Sequence, residues 1–208
     1  MLNRFARALF TRLLTPIAAL LLRAGISPDV VTLVGTAGVV LGALVFYPGG
    51  HLLVGTLVII GFVFADTVDG IMARQSGRSS AWGAYLDSTL DRFGDAAVFG
   101  GLVLWFTGGG EHRLTAVLAL ACLVLGSLVS YAKARAEGLG MTANVGIAER
   151  ADRLVAVLAA TGLVGLGVPQ VLLTVVLAVL TLASLVTVVQ RILEVRRQAF
   201  AADPPAVA

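Results

Sequence analysis

The sequence predicts an all-α integral membrane protein: six transmembrane helices preceded by an amphipathic interfacial helix. Three observations carry that reading. Hydrophobic residues fill 58% of the 208 positions and charged residues only 13%, and mean hydropathy is +0.96, whereas soluble domains carry about 25% charged residues. Such a chain cannot cover a water-facing surface with polar groups, so lipid is its solvent. Apolar runs of spanning length recur along it, each closed by a Gly-, Pro- or Ser-rich break. The cations gather in alternate connecting segments.

The first segment, Leu2 to Leu22, has Arg4, Arg7 and Arg12 ahead of an apolar stretch, as a signal peptide does. Pro16 interrupts the stretch and Arg23 closes it early, while Phe5, Leu9 and Leu13 share one helical face. It is read as a helix lying in the membrane interface. A spanning helix needs roughly 20 mostly apolar residues. Candidates fall at about 29–47, 52–73, 82–106, 114–136, 151–167 and 169–190. The breaks are Pro48-Gly49-Gly50, Ser76 to Ser80, Gly108-Gly109-Gly110, Gly138 to Gly146 and Gly165 to Pro169. Long apolar runs without alternation favour helices over barrel strands. One membrane domain over 1–200 is expected, with the interfacial helix at 1–23, the bundle at 29–197 and a disordered tail at 201–208.

With six spans, both termini and the even loops share one side, which holds Arg4, Arg7, Arg12, Arg23, Arg74, Arg78, Lys133, Arg135, Arg150, Arg153, Arg191, Arg196 and Arg197. Arg113 alone is on the other side, and Arg92 falls inside the third span. The asymmetry makes both termini cytoplasmic in a multi-pass plasma-membrane protein. Tyr47 and Trp105 fall near the outer interface and Trp82 near the inner one, where aromatic belts occur. Gly38/Gly42 and Gly162/Gly165 are small-residue pairs suited to helix contacts. The lone Cys122 excludes an internal disulfide, and no His/Cys cluster suggests zinc. The net charge of +3 does not mark a nucleic-acid binder, because its cations are spread over the loops of one membrane face.

Charges in a membrane span are costly and usually functional. The second predicted helix ends with Asp66 and Asp69, and the third begins with Asp87 and Asp91, with Asp95 beyond. Spacings of three and four put each pair on one helix face. A short connection makes the two helices an antiparallel hairpin, so the pairs share a depth. Carboxylates so close repel one another unless a cation intervenes. An all-oxygen donor set suits hard divalent ions such as Mg²⁺, Mn²⁺ or Ca²⁺, and two ions sharing ligands suit phosphoryl chemistry. Structural ion pairs with Arg74, Arg78 and Arg92, or a cation pathway through the bundle, are the alternatives. Gly70 and Gly83 leave room for a ligand, Arg74 can fork a phosphate, and Ser79 and Ser80 add hydroxyls; together they favour a metal-bound phosphate site.

These residues resemble a known signature. Asp66-Thr-Val-Asp69-Gly70-Ile-Met-Ala73-Arg74, eight residues, then Gly83-Ala-Tyr-Leu-Asp87-Ser-Thr-Leu-Asp91 is similar at every fixed position to the CDP-alcohol phosphotransferase family. The resemblance implies six transmembrane helices, a homodimer and a polar cavity open to the cytoplasm. It implies two divalent ions, Mg²⁺ or Mn²⁺, held by Asp66, Asp69, Asp87 and Asp91, with Asp91 also the general base toward the acceptor hydroxyl. It implies a CDP-diacylglycerol donor contacted by Gly70, Arg74 and Ser80, with Ala73 and Gly83 in the same motif. Pro28-Asp29-Val30-Val31-Thr32 resembles the family's Pro-Asn-x-x-Thr element near the nucleotide, with Asp29 in place of Asn.

Cytoplasmic residues outside the signature bear on the acceptor. Ser130, Lys133, Arg135, Arg153 and Arg191 form the candidate acceptor set, and Lys133, Arg153 and Arg191 suit a second anion, hence an acceptor that carries a phosphate. The competing reading makes them topology-setting charges against anionic lipid headgroups. The strings Ser-Tyr-Ala-Lys-Ala-Arg-Ala-Glu and Ala-Glu-Arg-Ala-Asp-Arg resemble the actinobacterial phosphatidylinositol phosphate synthases. That resemblance implies an inositol phosphate acceptor, 1D-myo-inositol 3-phosphate, giving phosphatidylinositol phosphate and CMP. Glycerol 3-phosphate, as in a phosphatidylglycerophosphate synthase, is the alternative within the class, and a cation transporter the alternative outside it.

Overall fold

The computed structural model describes residues 14–77 and 80–202, apart from the side chains of residues 65–67 and 202. Every regular element among them is a helix: α1 (Leu14–Arg23), then α2 (Pro28–Phe46), α3 (Leu52–Gln75), α4 (Ala81–Thr107), α5 (Arg113–Glu137), α6 (Arg150–Gly165) and α7 (Val171–Ala202). The chain divides into two compact units. One is the described part of Met1–Tyr47 with Val54–Gly101; the other is Pro48–Leu53 with the described part of Leu102–Ala208.

In the first unit, Pro16 lies in the first described turn of α1, a position that tolerates proline, and the helix is followed by Gly25, whose φ of +78° is a left-handed stop. The Ile26 N–H reaches back to the Leu21 carbonyl at 3.0 Å. Ala18, with Leu14, Leu21 and Leu22, packs on Val68, Ile71 and Met72 of α3. The proposed amphipathic face at Phe5, Leu9 and Leu13 lies outside the described residues. Helix α2 starts with Ser27 as N-cap and Pro28 in its first turn. Its buried Gly38 lies against the Phe62 ring, and Gly42 against Val58 and Ile59 of α3, so this pair is a helix contact. A Cβ on Gly101 of α4 would meet the Ala43 carbonyl oxygen at 2.8 Å. Tyr47 is fully buried and its hydroxyl meets Thr56 Oγ1 at 2.9 Å. It is a core residue, not a member of an interfacial belt, because the turn after α2 folds its ring under α3.

In the second unit, α5 and α7 run parallel. Thr115 meets Thr174, Cys122 meets Thr181, and the Val129 carbonyl meets Arg191, at a nearly constant sequence offset. Glu149 and Asp152 form a reciprocal capping box at the start of α6. Gly165 packs against the backbone of Leu53. Helix α7 runs 32 residues to Ala202, well beyond the expected end near 190 and into the segment read as a disordered tail. Glu194 pairs with Arg197 and with Gln198, so polar i,i+3 and i,i+4 contacts continue the helix where apolar periodicity stops. Residues 203–208 of that tail lie outside the described residues.

By length and composition, four of the described helices can cross a membrane: Pro28–Phe46, Leu52–Gln75, Arg113–Glu137 and Val171–Ala201. Their outward apolar side chains, such as Leu41 at 63% and Leu182 at 64% exposure, suit lipid. Helix α4 has 27 residues but carries Asp87, Asp91, Arg92 and Asp95. Helix α6 has 16 residues, short of the roughly 20 that a span requires.

Candidate active site

The α3–α4 hairpin and the start of α2 enclose a cavity of about 290 Å³ lined by Pro28, Asp29, Thr32, Asp69, Gly70, Ala73, Arg74, Ser80, Gly83, Ala84 and Asp87. Asp69 is buried at 7% exposure, Asp87 is exposed, and Asp91 is half-buried one turn further along α4. The charges of Asp87 and Asp91 both act on Asp69. Asp69 is braced from another helix: the Thr32 hydroxyl of α2 donates to its Oδ2 at 2.5 Å and also lies 3.1 Å from the Pro28 carbonyl. The α1 cluster packs on Val68, Ile71 and Met72, the same turns of α3 that carry Asp69, Gly70 and Arg74.

The glycines do what their positions require. The guanidinium of Arg74 folds back so that its nitrogens lie 3.7 and 3.9 Å from where a Cβ on Gly70 would stand. Ser80 caps α4: its hydroxyl oxygen accepts the Gly83 N–H at 3.0 Å, and its carbonyl accepts the Ala84 N–H. Ser80, Gly83 and Ala84 of this first turn line the cavity, and a helix N-terminus favours anions.

Of the expected donor residues, Asp29, Thr32, Gly70, Ala73, Arg74, Ser80 and Gly83 line this cavity, and Val30 and Val31 do not. Val30 is exposed, and Val31 packs toward the α1–α3 cluster, because consecutive helix residues point in different directions. Asp29 Oδ2 accepts the Trp82 indole N–H at 3.2 Å. Nothing in the sequence distinguished this Trp from an interfacial aromatic. Arg92 lies 3.7 Å from Asp91 and 3.5 Å from the buried Asp95, so it links the two.

Oxygen-only donors converging on one cavity fit a hard divalent cation. Among the described residues no group of three or more His, Cys, Asp or Glu side chains is gathered tightly enough to hold a metal ion. The fourth motif carboxylate, Asp66, is on α3 with its side chain outside the described residues, as are Arg78 and Ser79.

The expected acceptor residues all lie in the second unit. Arg153 is 2% exposed and Arg191 5%. Arg153 donates to the carbonyls of Ala148 at 3.2 Å and Gly126 at 3.3 Å. Arg191 donates to Val145 at 3.0 Å and Val129 at 2.5 Å. Ser130 donates to Gly126, and Lys133 is half-buried. Arg135 and Arg191 line a second, mainly apolar cavity of about 470 Å³ between α5 and α7, to which Lys133 and Arg153 do not contribute.

Residues 25–180 match the family described as CDP-alcohol phosphatidyltransferase. The chain belongs to this family. It is 56% identical to the phosphatidylinositol phosphate synthase of Streptomyces avermitilis, over 98% of this chain and 86% of that one. It is 50% identical to the enzyme of the same name from Cutibacterium acnes, over 95% of this chain and 98% of that one. A crystal structure of the Mycobacterium tuberculosis phosphatidylinositol phosphate synthase with CDP-DAG bound matches with TM-score 0.83 at 43% identity, over 88% of this chain and 94% of that one. A second, in complex with manganese and citrate, matches with TM-score 0.84 at 42% identity, over 94% of this chain and 92% of that one. Membership in the family and the apolar helices together make this a membrane protein.

Proposed function

We propose that the protein transfers the phosphatidyl group of CDP-diacylglycerol to 1D-myo-inositol 3-phosphate, releasing CMP and forming phosphatidylinositol phosphate. The observation that carries this is the cavity where Asp69 and Asp87 meet Gly70, Arg74, Ser80 and Gly83, in a chain 56% identical to a phosphatidylinositol phosphate synthase.

Asp66, Asp69, Asp87 and Asp91 would hold two divalent ions, Mg²⁺ or Mn²⁺; the manganese complex of the M. tuberculosis relative supports a divalent metal. Such ions supply charge neutralisation at the donor's pyrophosphate and at the phosphoryl group in transfer. Thr32 holds Asp69 in one orientation toward the cavity. The missing side chains of Gly70 and Gly83 let the pyrophosphate approach the backbone. Arg74 offers its forked N–H donors to a phosphate oxygen. Asp91 takes the proton from an acceptor hydroxyl. That oxygen forms a bond to the lipid-bearing phosphorus, and the bond from this phosphorus to the CMP oxygen breaks. Arg92, shared between Asp91 and Asp95, fixes the orientation of the base.

The acceptor's own phosphate is assigned to Lys133, Arg153 and Arg191, with Ser130 and Arg135 nearby. We place the protein in the plasma membrane with six spans, α4 and α6 joining the four helices that can span by length and composition, and with both termini and the active site cytoplasmic. A homodimer is the expected assembly. A donor whose acyl chains stay in lipid while its nucleotide stays in water calls for a site at that boundary.

CMP release by the purified protein tests this reading, with CDP-diacylglycerol and Mg²⁺ or Mn²⁺, comparing inositol phosphate with glycerol 3-phosphate. Turnover only with inositol phosphate is expected. Turnover only with glycerol phosphate would keep the class and overturn the acceptor, and the absence of CMP release with any alcohol would sink the enzyme reading.

A further inference from the structure

Four consecutive residues between α5 and α6 are fastened to α7 and to the two buried arginines. The Val145 carbonyl accepts Arg191 Nε, and the Ala148 carbonyl accepts Arg153 Nη1. Between them, the N–H groups of Ile147 and Ala148 both donate to Thr187 Oγ1, each at 3.1 Å. The Thr187 hydroxyl donates in turn to the Ala183 carbonyl at 2.8 Å. A hydroxyl has one donor and two acceptor sites, so this one is saturated, and Thr187 is fully buried.

Gly146 completes the fastening. Its φ is +146°, and a Cβ there would overlap the Thr187 methyl, so both backbone and space require glycine. At the outer end of the same segment, Gln198 accepts the Thr142 N–H at 2.9 Å and donates to the Thr142 carbonyl at 2.7 Å. Thr187, Arg191 and Gln198 follow at helical spacing on one face of α7. Each arginine also reaches a carbonyl of α5, Gly126 or Val129, and a Cβ on Gly126 would stand 3.0 Å from the Arg153 guanidinium. Residues 142–148 thus form a strap whose carbonyls bond both guanidinium groups; the Thr187 hydroxyl holds its inner end and Gln198 its outer end.

We infer that Thr187 is a positioning residue for the acceptor: through the strap at Val145–Ala148 it sets the orientation of Arg153 and Arg191. It touches no substrate itself. The inference rests on the proposed assignment of those arginines to the acceptor phosphate.

Thr187→Val keeps the shape and removes the hydroxyl; Thr187→Ser keeps the hydroxyl. For Thr187→Val, the KM for inositol phosphate should rise about 10–100-fold, the scale of the two strap hydrogen bonds lost with the hydroxyl, with kcat and the donor's KM within about two-fold. Thr187→Ser should return the acceptor KM to near wild type. Amide hydrogen exchange should quicken at Ile147 and Ala148 in Thr187→Val, a readout that needs no substrate. Unchanged exchange there, or a rise in the donor's KM with the acceptor's unmoved, would overturn the inference. Should Thr187→Val not fold, Gln198→Ala loosens the same strap from its exposed end. It must raise the acceptor KM and speed exchange at Thr142, and failure on either overturns the inference. Wild-type protein that ignores inositol phosphate but turns over another phosphorylated alcohol removes the proposed acceptor alone, and the same KM split is then read with that alcohol. Wild-type protein with no turnover on any alcohol removes the function reading instead, and the exchange experiment still decides whether Thr187 holds the strap.

Discussion

The charged groups of the two units are held in opposite ways. In the first, Asp69, Asp87 and Asp91 stand on neighbouring turns of α3 and α4, with Asp87 exposed and Asp91 half-buried, and a cavity opens beside them. In the second, Arg153 and Arg191 are almost wholly buried and spend donors on backbone carbonyls of α5 and the strap. On the proposed reading the carboxylates await a cation and substrate, while the arginines are packed into the interior of their own unit. Substitutions in the first unit should cost chemistry with little stability, and those in the second should cost both.

The largest effect tests the chemical side. Asp91→Asn should lower CMP release by about 10²–10⁴-fold, the contribution of a positioned general base, while the protein remains folded and extractable. Near-wild-type release would remove Asp91 as the base. Arg153→Met probes the other side. It leaves the buried Ala148 carbonyl without the Arg153 donor, and should destabilise the protein by about 1–3 kcal/mol while raising the acceptor KM. A thermal melt unchanged in detergent would break the contrast.

Smaller effects sharpen it. Thr32→Val takes the hydroxyl from Asp69 and should raise the Mg²⁺ or Mn²⁺ concentration for half-maximal activity by about 10–100-fold, as lost partners of metal-binding groups do. A metal titration that superimposes on wild type would show that Thr32 is a packing residue only. Ser80→Ala should cost about 1 kcal/mol of stability through the lost cap of α4, and Ser80→Gly only a few tenths. Equal rises in the donor's KM for both variants would then report the hydroxyl's contact with substrate, separately from its capping, by steady-state kinetics.

How much of this was legible in the sequence differs between the units for the same reason. The Asp66–Arg74 and Gly83–Asp91 segments lie on one helical hairpin, and their spacing was enough to foresee that Asp69 and Asp87 line one cavity. Gly38 and Gly42 were legible as a helix contact because small residues at that spacing leave a groove. The end of α7 was misjudged, since a hydropathy pattern ends at the first charge even where polar pairs carry the helix onward. Tyr47 was misplaced because an aromatic at a helix end looks the same whether it faces lipid or folds inward.

The sequence by itself determined an all-helical membrane protein, the four carboxylates of one motif and the family, because these depend on composition and on residues within a few turns of one another. The tertiary structure alone decided that Thr32 braces Asp69, that Trp82 holds Asp29, and that Thr187 and Gln198 hold the strap behind Arg153 and Arg191. Each is a directional hydrogen bond between residues distant in the chain. Such a bond exists only where packing brings donor and acceptor within about 3 Å of each other in the right orientation, and no local spacing encodes that.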